Sequence, residues 1–170
     1  MPAKEFHLQQ GWNPLANNFK IKSGGKEVYQ VKGDAMKWGK QSSFQTMDGT
    51  ELASLKETTR STLQPWAMFE WFKAGDADKR WASVKQEDWG SLDKKEISID
   101  IPGENNYKIT GDRLDWNFQI ICEDGTKVGE ISKKWGVRDN YGVRVEEGAD
   151  EVDVLMCAIL VDQIYHDGDE

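Results

Sequence analysis

The sequence contains little that would serve catalysis, secretion or membrane spanning. Its 170 residues include only two cysteines, Cys122 and Cys157. Both sit among apolar neighbours (Ile120-Ile121-Cys122 and Met156-Cys157-Ala158), which predicts buried, inert thiols and no disulfide framework. There are two histidines, His7 and His166. No Gly-x-Ser-x-Gly elbow, phosphate-binding Gly-rich loop ending in Lys-Ser/Thr, or dinucleotide fingerprint occurs. The expectation is a protein that is not an enzyme, with no catalytic residue and no cofactor.

Long hydrophobic runs are also missing. The longest, Val154 to Val161, has eight residues, far below the ~20 needed to cross a bilayer as a helix. No basic-then-apolar leader opens the sequence, Pro at position 2 excludes myristoylation, and no prenylation box closes it. The expected location is cytoplasmic, with at most a peripheral membrane association. Asp76-Ala-Asp78 and His166-Asp-Gly-Asp-Glu170 offer oxygen donors without the spacing of a calcium loop. They read as a solvated turn and an acidic terminus, so no metal site is expected.

Basic charge is scarce. Lys and Arg number 22 against 30 Asp and Glu, a net −8, which argues against a nucleic-acid partner. The imbalance is uneven along the chain. Residues 1–40 hold seven Lys against three acids, whereas residues 141–170 hold one Arg against nine acids. A local basic face is therefore compatible with the acidic total.

The length suits one domain, assigned to residues 5–167 with 168–170 as an acidic tail, and eight Trp supply core-forming surface. Most of the chain reads as short strands. Phe19–Lys22, Glu27–Gly33, Phe44–Met47 and Glu51–Glu57 are separated by Gly24-Gly25 and Asp48-Gly49, dipeptides that suit tight hairpin turns. Trp116–Cys122, Asp124-Gly125 and Thr126–Lys134 repeat that layout. Trp66–Lys73 and a strand from about Trp81 to Glu87 lie between. About twelve strands result.

An internal repeat runs through them. Leu52-Ala-Ser-Leu55-Lys56, Trp81-Ala-Ser-Val84-Lys85 and, more loosely, Val128-Gly-Glu-Ile131-Ser-Lys133 share a pattern with Val28-Tyr-Gln-Val31-Lys32. Alternate strand residues share a face, so Ala53 with Leu55, Ala82 with Val84, and Gly129 with Ile131 form an inner face carrying small residues. Such a face admits a bulky object at close range. The tail provides one. Asp150 is placed to cap a helix with acids in its first turn, and the run after it is apolar on every face, so it must be buried on every face. Run length alone does not separate a helix from a buried strand; the capping acids and Leu-Met-Cys-Ala favour helix. The expected fold is an all-β closed barrel of about twelve strands enclosing a central hydrophobic C-terminal α-helix, closure also removing exposed edges.

Tyr29-Gln-Val-Lys-Gly33, Asp48-Gly-Thr-Glu-Leu-Ala53, Gly129-Glu-Ile-Ser-Lys-Lys-Trp135, Tyr141-Gly-Val-Arg-Val145 and Leu155-Met-Cys-Ala-Ile-Leu-Val-Asp162 together resemble the LURP-one-related family. That family is similar to the tubby C-terminal domain and the phospholipid scramblases. The resemblance covers nearly the whole chain. It implies the same barrel around a C-terminal helix, and it implies phosphoinositide or membrane binding of the kind those relatives show. No tubby-type basic lipid-binding motif or scramblase-type calcium loop carries over residue by residue, and the Trp-rich middle (Trp66, Trp71, Trp81, Trp89) departs from the pattern.

The candidate binding residues are Lys133, Lys134, Trp135 and Arg138, a combination of charge and aromatic suited to a phosphorylated headgroup. Lys20 and Lys22, with Lys26, join them if the N-terminal hairpin lies alongside. Lys32, Lys56 and Lys85 follow the strand repeat and read as solvent-facing charges that discourage edge pairing. The functional expectation is a non-enzymatic intracellular binding module for anionic lipid headgroups at a membrane surface. The alternative is a protein-interaction adaptor using exposed aromatics such as Trp66, Trp71 and Trp89. A small apolar ligand inside the barrel is disfavoured because the helix fills it.

Asp162 is an acid inside an apolar helix, and a carboxylate satisfied there by backbone or by a Trp or Tyr donor is structural. Asp162→Ala is therefore expected to lower the urea midpoint without abolishing binding by the protein that still folds. A stable variant that loses its ligand would overturn that assignment.

Overall fold

The computed structural model describes residues 3–10, 18–34, 41–58, 68–73, 82–87, 94–100, 106–112, 117–133 and 140–166. Twelve strands precede one helix. They are β1 (Lys4–Gln10), β2 (Phe19–Ser23), β3 (Lys26–Asp34), β4 (Gln41–Thr46), β5 (Glu51–Thr58) and β6 (Met68–Lys73), followed by β7 (Ala82–Glu87), β8 (Lys94–Asp100), β9 (Tyr107–Asp112), β10 (Asn117–Cys122), β11 (Lys127–Ser132) and β12 (Asn140–Val145). The helix α1 spans Glu151–His166. Every strand pairs antiparallel with its neighbour in sequence, and β1 also pairs with β12, so the ladder returns to its start as a closed barrel.

The predominantly antiparallel sheet and the single C-terminal helix agree with the sequence reading. Strand limits shift by a few residues. β4 begins at Gln41 and leaves Met47 in the following turn, whereas the sequence suggested Phe44–Met47. The ladder explains the shift, because Gln41, Ser42 and Ser43 pair with Lys56, Leu55 and Ser54. Cross-strand pairing holds these polar residues in the sheet although none favours a strand by itself.

Two hairpins six strands apart are built alike. In β4–β5, Asp48 accepts the Thr50 N–H at 3.1 Å while the Thr46 N–H reaches the Thr50 carbonyl at 2.9 Å. In β10–β11, Asp124 accepts the Thr126 N–H at 2.9 Å and the Cys122 N–H reaches the Thr126 carbonyl at 2.8 Å. Gly49 and Gly125 take φ of 93° and 89°, a region open to glycine at no steric cost. Each turn is preceded by a register shift, at Phe44/Gln45 and at Ile120/Ile121. Hydrogen bonding lowers both turn carboxyls below the usual range, through the Thr46 hydroxyl for Asp48 and the Thr126 backbone N–H for Asp124.

The helix fills the interior. All residues from Asp153 to Asp162 are buried, including the whole Val154–Val161 run. Phe6, Leu8, Phe19, Ile21, Val31, Phe44, Ile109, Phe118 and Val143 face it from the wall. Ala53 and Leu55, like Gly129 and Ile131, are buried, while Lys32 and Lys56 are exposed, as the repeat requires. The side chains of Ala82, Val84 and Lys85 lie outside the described residues. Asp150 caps the helix by accepting the Asp153 N–H at 3.1 Å.

Gly129 shows why the inner face needs small residues. A Cβ there would lie 2.6 Å from Cγ1 of Val154 and 3.1 Å from the Arg144 carbonyl oxygen. Gly129→Ala is expected to cost about 1–3 kcal/mol in urea unfolding. Adding Val154→Ala is expected to recover part of that loss, since it removes the opposing methyl groups.

Candidate functional site

Three tyrosines on three strands hold the helix by its acids. The Tyr29 hydroxyl on β3 donates to Glu151. Tyr107 on β9 donates to Asp153 at 3.0 Å, and Tyr141 on β12 donates to Asp162 at 2.6 Å. These are the three acids of α1, and each receives a hydroxyl from the barrel wall. Asp162 and Asp153 are 2% and 6% exposed, so a carboxylate without donors there would carry a desolvation cost of several kcal/mol. Asp162 therefore has the Tyr partner expected of a structural carboxylate.

A Tyr donor for Asp162 was among the sequence expectations, but the tyrosine was not named and the pairs at Glu151 and Asp153 were missed, though a signal was present. Tyr29-Gln-Val31, Tyr107-Lys-Ile109 and Tyr141-Gly-Val143 all read Tyr-x-Val/Ile, with the aliphatic residue buried and the tyrosine two positions earlier on the same face. Tyr141, Leu8, Ile21 and Tyr29 share one cross-strand row. The two tyrosines nonetheless meet helix residues eleven positions apart, roughly 16 Å along the axis. Strands in a closed barrel are tilted and staggered, so one row climbs along the helix.

The expected basic residues occupy the outside and the rim. Lys20 and Lys22 alternate with buried Phe19 and Ile21 on β2, and Lys20 lies 4.0 Å from Glu27. Lys133 follows β11, is exposed, and holds its Nζ 5.5 Å from the centre of the Tyr141 ring, within cation–π range. Lys134, Trp135 and Arg138 lie outside the described residues, as do Trp66, Trp81, Trp89, Asp76 and Asp78. Trp71 falls in β6 opposite Leu55 and Ala82 in register.

The N-terminal hairpin does lie alongside, since β1 pairs with both β12 and β2. Ser132, Gly142, His7 and Lys22 form one cross-strand row, which sets Lys133 three strand spacings from Lys22, roughly 14 Å. The lysines thus share a region of wall without forming one tight cluster. Acids intersperse them: Arg144 pairs with Glu5 at 3.2 Å, and Lys127 with Glu130 at 3.3 Å and Glu146 at 3.7 Å. Exposed pairs of this kind are weak and yield to salt or to a competing anion.

Neither thiol is poised for nucleophilic chemistry. Burial pushes Cys157 well above the ordinary thiol range, with Asp153 adding to the effect. Cys122 is half-buried rather than fully buried as expected, because it ends β10 beside an exposed turn. Burial and then Asp124 raise its pKa too. Among the described residues no His, Cys, Asp and Glu form a group able to hold a metal, and no helix is long and apolar enough to cross a membrane.

The tyrosine hydroxyls make a pH prediction. Burial first, then the Glu151 bond, raises Tyr29 above its ordinary 10.0. Burial and then the Asp153 charge raise Tyr107. A phenol that holds its proton more tightly when folded contributes stability that is complete below its unfolded pKa and is lost as pH rises beyond it. Urea midpoints are expected to hold steady up to about pH 9 and fall above about pH 10. The Tyr29→Phe/Tyr107→Phe variant is expected to start lower and to fall less steeply.

No curated protein matches the chain. The family model described as LURP-one-related matches residues 4–162, which takes in all twelve strands and α1 as far as Asp162. By that match over most of its length, with the helix-filled β-sheet described above, the chain belongs to the LURP-one-related family.

Proposed function

We propose that this chain is a non-enzymatic binding domain that recognises anionic lipid headgroups of the phosphoinositide class at the cytoplasmic surface of a membrane. Family membership points to a tubby-like binding domain. The observation that carries the reading further is the occupied interior. Val154 to Val161 are buried on all sides by the wall, which leaves the outside and the rims for recognition. There Lys133 is exposed, and Lys20 and Lys22 are half-buried on β2. A phosphorylated headgroup supplies the concentrated negative charge that competes with a single carboxylate such as Glu27 for Lys20.

Co-sedimentation with phosphatidylcholine vesicles, with and without a phosphoinositide, tests the reading. Phosphoinositide-selective binding is expected at low salt, weakening toward physiological salt. Lys133→Glu/Lys134→Glu is expected to reduce it by about tenfold or more, since each basic residue near such a surface is worth about 1 kcal/mol. Failure of the folded protein to bind either vesicle, with or without calcium, would overturn the reading and turn attention to an adaptor role with protein partners.

A further inference from the structure

The outer wall is uneven in charge. Alternation with buried Leu8, Ile21 and Tyr141 puts His7, Lys22 and Gly142 on its outer face. Register makes them neighbours on β1, β2 and β12, with Ser132 of β11 next in the row. The outward positions of β12, β1 and β2 hold Lys20, Lys22, Arg144 and His7 against one acid, Glu5. The chain as a whole is −8.

Most cations of the described wall already have a carboxylate. Arg144 pairs with Glu5 at 3.2 Å, Lys20 lies 4.0 Å from Glu27, and Lys4 and Lys127 reach Glu151 and Glu130 at 3.2 and 3.3 Å. Lys22 and His7 differ. Among the described residues no carboxylate comes within ion-pair range of either. Glu27 sits opposite Lys22 across the β2–β3 ladder, but its carboxylate lies toward Lys20. Lys26, Lys32 and Lys56 are also without such a partner, yet they are exposed and none has a second basic group opposite it. Lys22 is half-buried and faces His7 directly, their Cα atoms roughly 5 Å apart. A half-buried ammonium gives up part of its hydration, and a bound anion restores what it lost.

The row also has a shape. Ser132 and Gly142 are buried although they occupy outer positions, while His7 beside them is exposed. It therefore passes from covered to open wall between β12 and β1, and Gly142 puts no side chain at that step. An anion lodged there meets the ammonium of Lys22 and an imidazole N–H of His7, a set dominated by donors. A phosphate monoester matches it, with three acceptor oxygens and a charge of about −1.5 to −2 at neutral pH. A single carboxylate brings at most one charge, and a phosphodiester has one fewer free oxygen.

We propose that the outer face of β12, β1 and β2 seats the lipid headgroup, a phosphate monoester of the phosphoinositide being held by Lys22 and His7 beside Gly142. This rests on the membrane reading above and adds where the phosphate sits and which side of the barrel turns to the bilayer. Lys20 on β2 and Lys133 after β11 flank the seat and add attraction to the anionic surface.

Co-sedimentation of the full chain tests the seat, using phosphatidylcholine vesicles that carry either a phosphatidylinositol bisphosphate or phosphatidylserine at equal total charge. Wild type is expected to prefer the bisphosphate, and soluble inositol trisphosphate to displace it. Lys22→Gln/His7→Gln is expected to weaken bisphosphate binding about tenfold, whereas Lys32→Gln/Lys56→Gln, at single exposed positions elsewhere on the wall, changes it by less than about twofold. Equal weakening by the two variants, or equal binding to phosphatidylserine, would overturn the seat and leave a diffuse attraction to anionic membranes. Absence of wild-type binding to either vesicle would remove the seat and the membrane reading together. A measurement on wild type alone decides the seat even if a variant does not fold. The chain has two histidines, and the ring-proton NMR signals of His7 are expected to shift on titration with inositol trisphosphate while those of His166 stay in place. Vesicle binding with unmoved His7 signals would count against the seat.

Discussion

A helix that is apolar on every side cannot rest on the surface of a sheet, because whichever face points outward leaves hydrocarbon in water. The run from Val154 to Val161 is stable only when something surrounds it, and burying each of its large side chains is worth about 1.5–3 kcal/mol. The antiparallel ladder supplies that enclosure, and β1 pairing with both β2 and β12 removes the gap through which water would enter. The small residues at Ala53 and Gly129 then follow, since the wall must come within van der Waals distance of the helix.

Enclosure creates an electrostatic problem at the ends of the helix. Glu151, Asp153 and Asp162 belong to a segment that the wall covers, and hydrogen-bond donors must reach them there. Tyrosine answers this with a ring that packs as hydrocarbon and a hydroxyl long enough to span the gap from strand to helix. Tyr29 and Tyr107 come from the third strand of each six-strand half, and the matching β4–β5 and β10–β11 turns belong to the same two halves. One structural solution is used on both sides of the helix's first turn, and Tyr141 repeats it near the far end.

With the interior occupied, recognition is left to the outer wall and the rims. The wall mixes lysines with glutamates in weak exposed pairs.

Local features carried much of this in the sequence alone. Strand existence followed from alternation and from Asp-Gly and Gly-Gly turns, helix burial from an unbroken apolar run, and the inner placement of Ala53 and Gly129 from period two. These are properties of a residue and its near neighbours along the chain. The start of β4 was not legible, because polar Gln41 to Ser43 become a strand only by pairing with β5. Nor were the tyrosine–acid pairs, whose partners lie as far apart as Tyr29 and Glu151. The separation of Lys22 from Lys133 depended likewise on how many strands lie between them. Sequence determined which segments are strands, which segment must be enclosed, and which charges are available. Tertiary structure alone decided which hydroxyl meets which carboxylate and which connections share an end, because both depend on the register and direction of strands brought together by closing the sheet around its helix.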